Sequence, residues 1–120
     1  QFDAIKKIAD EGPCILVGRC ADYALEEYDN VIRLFIHADL DARIRRIARI
    51  YDLTDAKAKD LILKTDKKRA SYYNYYSNKK WGAADSYDMC LNSSMLGIDG
   101  TAEAIIKLVE LKEQEGEKKL

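Results

Sequence analysis

Cys14-Ile15-Leu16-Val17-Gly18-Arg19 is an apolar run that ends in a glycine and an arginine. Four apolar residues without polar alternation predict a strand buried on both faces, as in a parallel sheet. Ligands of open α/β sheets bind just beyond the carboxyl ends of such strands. Gly18 permits a sharp turn there, and Arg19 adds a planar, permanent positive charge. The run therefore predicts a binding site for a phosphate or a carboxylate.

Strands and helices alternate along the remaining sequence. Further strands are expected at 31–36 and 87–91. Amphipathic spacing predicts helices at 2–11, from an N-cap at Asp39 with an apolar face from Leu40 to Tyr51, from a cap at Thr54 to about residue 78, and from a cap at Asp99 to about residue 112 with Ala102 and Ile106 facing the core. Residues 113–120 are expected to fray. This order of strands and helices predicts right-handed crossovers and an α/β fold, with a three-layer parallel sheet and flanking helices. We expect residues 1–120 to form the carboxyl-terminal part of a single domain, with a helical lid at about 40–79. Three strands make a narrow sheet, so a preceding strand is expected to be missing.

Composition limits the classes of partner and compartment. The chain has 120 residues, 48% hydrophobic residues and a net charge of -1, which argues for a globular domain and against nucleic acid or membrane as a partner. No stretch approaches the roughly 20 apolar residues of a membrane span. The three cysteines are interpreted as buried thiols in a reducing, cytoplasmic location. No cysteine or histidine spacing predicts a metal site.

Cations converge on the predicted lid. Asp66 and Arg69 are three residues apart and share a helix face, and Lys67 lies between them. Arg43 and Arg46 come one helix earlier. A phosphoryl group in transfer needs several cations, so Arg69, Lys67, Arg43 and Arg46 are candidate catalytic residues. The alternative interpretation is a solvated helix face held by salt bridges.

Two further groups have alternative interpretations. Four tyrosines follow the basic stretch. Either they stack the bases of a single-stranded nucleic acid or, as we favour, Tyr72, Tyr73 and Tyr76 pack the helix against the sheet. Asn92, after the third predicted strand, either contacts a nucleotide or satisfies the backbone of its loop. A module that binds single-stranded nucleic acid is therefore kept as an alternative function. The four tyrosines are Tyr72, Tyr73, Tyr75 and Tyr76.

Four segments together resemble the cytidylate kinase-like family of P-loop phosphotransferases. They are GRCADY at 18–23, DKKRASYY at 66–73, WG at 81–82 and YDMCLNSSMLG at 87–97. The resemblance implies a nucleoside monophosphate kinase-like P-loop NTPase fold, whose phosphate loop, with its strand and helix, lies upstream of this segment. It also implies ATP and Mg²⁺ as cofactors and a nucleoside monophosphate as acceptor. A kinase-like protein that binds nucleotide without turnover is a second alternative.

The resemblance assigns roles to individual residues. It implies that Gly18 and Arg19 bind the acceptor monophosphate, and that Asp66 and Arg69 contact its ribose and phosphates. Cys20 departs from the aspartate of true cytidylate kinases, and it is interpreted as a spectator because no base or oxyanion site accompanies it in the sequence. Without the phosphate loop, we expect these 120 residues to be inactive alone and to self-associate, for example as a homodimer. Phosphate-facing arginines are further implied at Arg43 and Arg46.

Overall fold

The computed structural model describes residues 1–118. The chain forms two compact units: the first holds Gln1–Arg33 and Lys64–Asp88, and the second holds Leu34–Leu63 and the chain from Met89 onward. The elements in chain order are α1 (Phe2–Glu11), α2 (Ala21–Ala24), β1 (Leu34–His37), α3 (Leu40–Tyr51), α4 (Asp55–Ser77), a short 3-10 helix (Ala84–Ser86), β2 (Met89–Asn92) and α5 (Ser93–Lys118).

The second unit contains a small parallel sheet. β1 and β2 pair in parallel, with Leu34 opposite Met89 and His37 opposite Asn92. The predicted parallel pairing is therefore confirmed, and the protein is a helix-rich α/β protein. The sheet has two strands in the described residues, so a three-layer arrangement stays a prediction.

The run at 14–17 forms no strand and belongs to no sheet, so the prediction of a buried strand there is wrong. Ile15 is 93% exposed and Val17 is 88% exposed. An apolar run becomes a buried strand only where neighbouring strands satisfy its backbone and helices cover its faces. No neighbouring strand pairs with this segment within residues 1–118.

The three cysteines also differ from their predicted burial. All three are free thiols, but Cys14 and Cys90 are exposed, and Cys20 is buried. The prediction of three buried thiols is therefore wrong for two of them. Both exposed cysteines lie in predicted strands. Cys14 is in the run that pairs with no strand, whereas Cys90 is in β2, which pairs with β1 but leaves this side chain uncovered.

The core of the first unit is built by its first two helices. Ile5 of α1 packs with Ala24 and Leu25. Phe2 adds edge-to-face contacts with Tyr23 and, on α4, with Tyr76, at centroid distances of 5.7 and 6.0 Å. The predicted bounds of α1 are confirmed, and its apolar face forms this core. Partly buried residues around it are Ala9, Leu16, Ala21, Tyr28 and Val31.

Helix ends in both units follow local chemistry. The Thr54 side chain accepts a hydrogen bond from the Lys57 amide at 3.3 Å, which confirms the predicted start of α4. In α5 the backbone kinks at Gly97, whose φ of 75° and ψ of 177° suit only glycine. Helix resumes directly after that kink and runs to Lys118, so Asp99 is not its cap. The fraying expected for residues 113–120 is therefore wrong as far as residue 118, and residues 119–120 lie outside the described residues. The last turns of α5 are rich in Glu and Lys, which are good helix formers.

The helices of the second unit bury fewer apolar side chains than their sequence patterns predict. No residue of α3 is fully buried, and Leu40 and Tyr51, at the two ends of its predicted apolar face, are exposed. On α5, Ala102 and Ile106 are exposed rather than in the core. None of the helices within residues 1–118 is long and apolar enough to cross a bilayer.

Candidate functional site

The turn after the apolar run has an unusual backbone. Gly18, Arg19 and Cys20 have φ angles of 71°, 58° and 53°, so three consecutive residues are left-handed. This conformation is free for Gly18, where an added Cβ would meet no other atom within 4 Å, but it costs about 1–2 kcal/mol for each of the other two residues. Arg19 is exposed on this turn. The local fold therefore presents a charged side chain from a strained backbone.

Cys20 fixes the end of this turn through its buried side chain and its backbone. Its side chain is buried, and its carbonyl accepts the Ala24 amide at 2.9 Å at the start of α2. Burial, with a smaller contribution from the charge of Asp22, raises the pKa of the Cys20 thiol. A protonated thiol is a poor nucleophile, which agrees with a spectator role for Cys20.

A buried hydrogen bond joins this region to α4. The Tyr73 hydroxyl donates to Asp22 Oδ2 at 2.6 Å, and Tyr73 is 6% exposed. Burial, and then this bond to Asp22, raise the pKa of Tyr73 well above its ordinary value, so the phenol keeps its proton. The bond connects α2, two residues after Cys20, with the part of α4 that carries the predicted lid residues.

Two faces of α4 divide those lid residues. With about 100° per residue, Asp66, Arg69 and Tyr73 fall on one side of the helix. Tyr73 points into the unit, Asp66 is partly buried and Arg69 is exposed at the rim. Lys67 lies about 160° around the axis from Arg69, because residues two apart do not share a face. The helix thus brings Asp66 and Arg69 together and turns Lys67 away from them.

The remaining predicted site residues lie in the second unit. Arg43 and Arg46 are three residues apart on α3 and share a face; Arg43 is partly buried and Arg46 is exposed. Asn92 ends β2. The first unit holds Gly18, Arg19, Asp66, Lys67 and Arg69.

Asn92 is engaged by its own neighbours. Its Nδ2 donates to Asp39 Oδ1 at 3.0 Å, and its Oδ1 accepts the Ser94 amide at 2.9 Å. The Asp39 amide donates in turn to Ser94 Oγ, and Ser93 Oγ donates to the His37 carbonyl. Asp39 sits at the predicted N-cap position of α3, but its side chain accepts from Asn92 rather than from the first turn of the helix. These bonds join the carboxyl ends of the two strands.

The Asp22–Tyr73 bond is a feature that sequence reasoning missed. Tyr73 was correctly expected to pack inward, but its hydroxyl partner lies 51 residues earlier in the chain. No local spacing reveals such a contact. The one signal in the sequence was the helix periodicity, which puts Tyr73 on the face of Asp66 and Arg69.

The fold and this residue set define a helix-rich α/β protein with a left-handed glycine-arginine turn. The profile of the Cytidylate kinase-like family matches residues 1–95, and the chain belongs to that family, as its motifs predicted. A crystal structure described as an uncharacterized protein from Eubacterium ventriosum ATCC 27560 is similar, with a TM-score of 0.87 and 32% identity. The match covers 91% of this chain and 62% of that one, so this chain spans less than two thirds of its neighbour. No curated protein matches the chain.

The residues present fit a site for a single nucleotide phosphate better than a site for Mg²⁺ and a triphosphate. Exposed arginines such as Arg19 and Arg69 suit the phosphate of a nucleotide. No group of three or more acidic, histidine or cysteine side chains within residues 1–118 is arranged to hold a metal ion. The sequence also has no GxxxxGK[ST] loop, whose amides would cradle a triphosphate. These residues therefore do not by themselves fit Mg²⁺ or the triphosphate of ATP.

Proposed function

We propose that this chain contributes the acceptor side of a phosphotransferase that moves a phosphoryl group from ATP to a nucleoside monophosphate or a similar small acceptor. Membership of the cytidylate kinase-like family supports a kinase-like activity. The observation that carries the proposal is the exposed Arg19 on its strained turn. Strained backbone of this kind persists where the surrounding structure imposes it, and such positions cluster at ligand sites.

Arg19 has the chemistry for an acceptor phosphate. Its planar guanidinium can donate two parallel hydrogen bonds to phosphate oxygens, and it stays charged at every relevant pH. The Asp22–Tyr73 bond, close to this turn, holds α2 and α4 in one unit. A phosphate bound by Arg19 would therefore be held by a supported segment rather than by a free loop.

The lid residues take complementary roles in the proposal. Asp66 accepts a ribose hydroxyl or orients Arg69, and Arg69 neutralises phosphate charge from the same face of α4. The same role for Arg43 and Arg46 of α3 stays a prediction. Lys67 faces the other side of α4, so we assign the larger share of the charge on α4 to Arg69. Asn92 is already bonded at both ends of its amide, and its role as a substrate contact stays a prediction.

The whole activity needs more than this residue set. ATP and Mg²⁺ would be bound by polypeptide that supplies a phosphate loop, and we propose a cytoplasmic setting, where the free cysteines remain reduced. The 120-residue chain alone is then inactive. Its exposed Ile15 and Val17 favour self-association as a homodimer, which light scattering over a range of concentrations would measure.

Calorimetric titration of the 120-residue chain with cytidine, uridine and adenosine monophosphates tests the acceptor site. A charge-assisted hydrogen bond contributes about 1.5–3 kcal/mol, so Arg19→Ala should weaken binding by about 10- to 100-fold. Arg45→Ala, which removes an exposed arginine of α3 outside the proposed site, should leave binding unchanged. A coupled kinase assay on the same protein should give no turnover.

Two outcomes would contradict the proposal. Equal binding by Arg19→Ala and the unmodified chain would remove Arg19 from the acceptor site. Turnover by the 120-residue chain would show that it needs no further donor site. In an intact protein that contains a phosphate loop, nucleotide binding without turnover would favour the alternative of a non-catalytic nucleotide-binding protein.

A further inference from the structure

The outer face of α4 carries a cluster of unpaired lysines. Lys64, Lys67 and Lys68, together with Ser71, line a shallow, open depression of about 400 Å³. They are spaced three, four and seven residues from Lys64, so they occupy one helix face, and all four are exposed. Every side chain of this lysine face can donate a hydrogen bond, and three of the four are positively charged.

These charges are only partly balanced on their own helix, where the exposed Asp60 lies four residues before Lys64 on the same face. None of the three lysines has a carboxylate within ion-pair distance in the described residues 1–118. The pairs Lys64–Lys67 and Lys64–Lys68 are like charges at helix-neighbour spacing, which disfavours the helix. An anion bound over the depression would remove the repulsion between the lysines. A helix face with only a structural role gains no stability from three neighbouring like charges.

An exposed aromatic residue continues the same face. Tyr75 lies four residues, or about 6 Å along the axis, beyond Ser71, and it is 78% exposed. Its ring meets Tyr76 edge to face at 4.9 Å, and Tyr76 packs on Tyr72 at 4.7 Å. Tyr75 is therefore supported by its aromatic neighbours while most of its surface remains open. The predicted inward packing of Tyr72, Tyr73 and Tyr76 is confirmed for Tyr73 but is wrong for Tyr76, which is 45% exposed.

We propose that the lysine face and Tyr75 bind single-stranded nucleic acid, with backbone phosphates at the three lysines and an unstacked base on the Tyr75 ring. Lysines that track a backbone beside an exposed aromatic ring are the usual means of sequence-tolerant single-strand binding. A duplex keeps its bases stacked and offers none to Tyr75. A membrane surface would need a broad apolar face, whereas Ser71 lies among these lysines.

This site is separate from the proposed acceptor site. The lysine face is on the opposite side of α4 from Asp66 and Arg69. The net charge of -1 argued against nucleic acid, but attraction at the surface depends on charges within about 10 Å rather than on the total. The local charge, three lysines with Asp60 one turn before Lys64, is therefore the relevant quantity.

Fluorescence anisotropy with a labelled oligothymidylate of about 12 nucleotides tests the proposal on the 120-residue chain. Three neutralised phosphates predict a slope of log K against log salt near about −2, or about a 20-fold loss of affinity between about 50 and 200 mM salt. The variant K64Q/K67Q/K68Q should lose most of this slope. Tyr75→Ala should weaken binding about tenfold, and Tyr75→Phe should retain it.

The variant K6Q/K7Q/K107Q is the matched control, since it removes three exposed lysines from α1 and α5. It should bind as the unmodified chain does, and circular dichroism should show both triple variants folded. If a variant unfolds, K64R/K67R/K68R should still bind, because it keeps the charge. The proposal is overturned if no oligonucleotide binds at low salt, if both triple variants lose affinity equally, or if anionic phospholipid vesicles bind and the oligonucleotide does not. Excess cytidine monophosphate that displaces the oligonucleotide would also overturn it.

Discussion

The turn at Gly18–Arg19–Cys20 and the carboxyl ends of β1 and β2 use polar residues in opposite ways. In the first unit a strained backbone exposes the Arg19 guanidinium. In the second, Asp39 and Asn92 bond each other and their neighbours. The sequence predicts a phosphate contact at Arg19, and at Asn92 either a nucleotide contact or a bond to the backbone of its loop. The difference teaches that the position of a polar residue after a strand does not separate a binding group from a structural one; its hydrogen-bond partners do.

Tyr73→Phe should give the largest effect on stability. The substitution removes the 2.6 Å bond to Asp22 and leaves that carboxylate without this donor. Hydrogen bonds to charged groups contribute about 1.5–3 kcal/mol, so we expect a loss of about 2 kcal/mol in the free energy of unfolding. Urea denaturation measures it, with Tyr75→Phe as the matched control because Tyr75 is exposed. Equal stability of the two variants would mean that the bond does not support the turn.

Alkaline pH tests the same bond without a mutation. The folded-state pKa of Tyr73 is raised, so its contribution to stability is complete below the ordinary tyrosine pKa and is lost as pH rises toward the folded value. Above about pH 10 the contribution of Tyr73 to the free energy of unfolding should fall by up to about 1.4 kcal/mol per pH unit. Tyr73→Phe should fall less steeply. The raised pKa of Cys20 acts in the same direction in both proteins, beginning at lower pH. Parallel pH curves for the two proteins would argue against this origin.

Asn92→Ala should affect stability and leave ligand binding unchanged. It removes two hydrogen bonds at the strand ends, for which we expect a net loss of about 1–2 kcal/mol. Thermal denaturation measures the loss, and titration with cytidine monophosphate checks binding. If binding falls while stability is unchanged, Asn92 contacts the substrate, and the two regions no longer differ in how they use their polar residues.

Arg19→Gly should give the smallest effect on stability and the opposite sign. Glycine adopts a positive φ without steric cost, so relief of the strain at 58° should stabilise the fold by about 0.5–1 kcal/mol. The same variant should lose binding of the acceptor monophosphate. Arg45→Gly, in the interior of helix α3, is the control and should destabilise by about 1 kcal/mol. A destabilised Arg19→Gly would show that the Arg19 side chain supports the turn rather than binding a ligand.

Local patterns predicted much of the fold. The bounds of α1, the cap of α4 at Thr54 and the parallel pairing of the strands follow from spacing and end-capping chemistry that act within a few residues. The run at 14–17 was assigned wrongly because a buried strand is a property of its neighbours as well as of its own residues. α5 continues past residue 112 because the charged residues of its last turns have high helix propensity. The prediction of fraying did not take that propensity into account.

The candidate site also combines features that local sequence predicts with features that depend on tertiary packing. The sequence alone established the family, the glycine-arginine turn and the shared face of Asp66 and Arg69, because motifs and helix periodicity are local. The Asp22–Tyr73 bond and the engagement of Asn92 join residues more than 50 positions apart, and only the folded chain brings them together. The same holds for the exposure of Tyr75 beside the lysine face. Burial and hydrogen-bond partners depend on packing between elements, which sequence spacing does not encode.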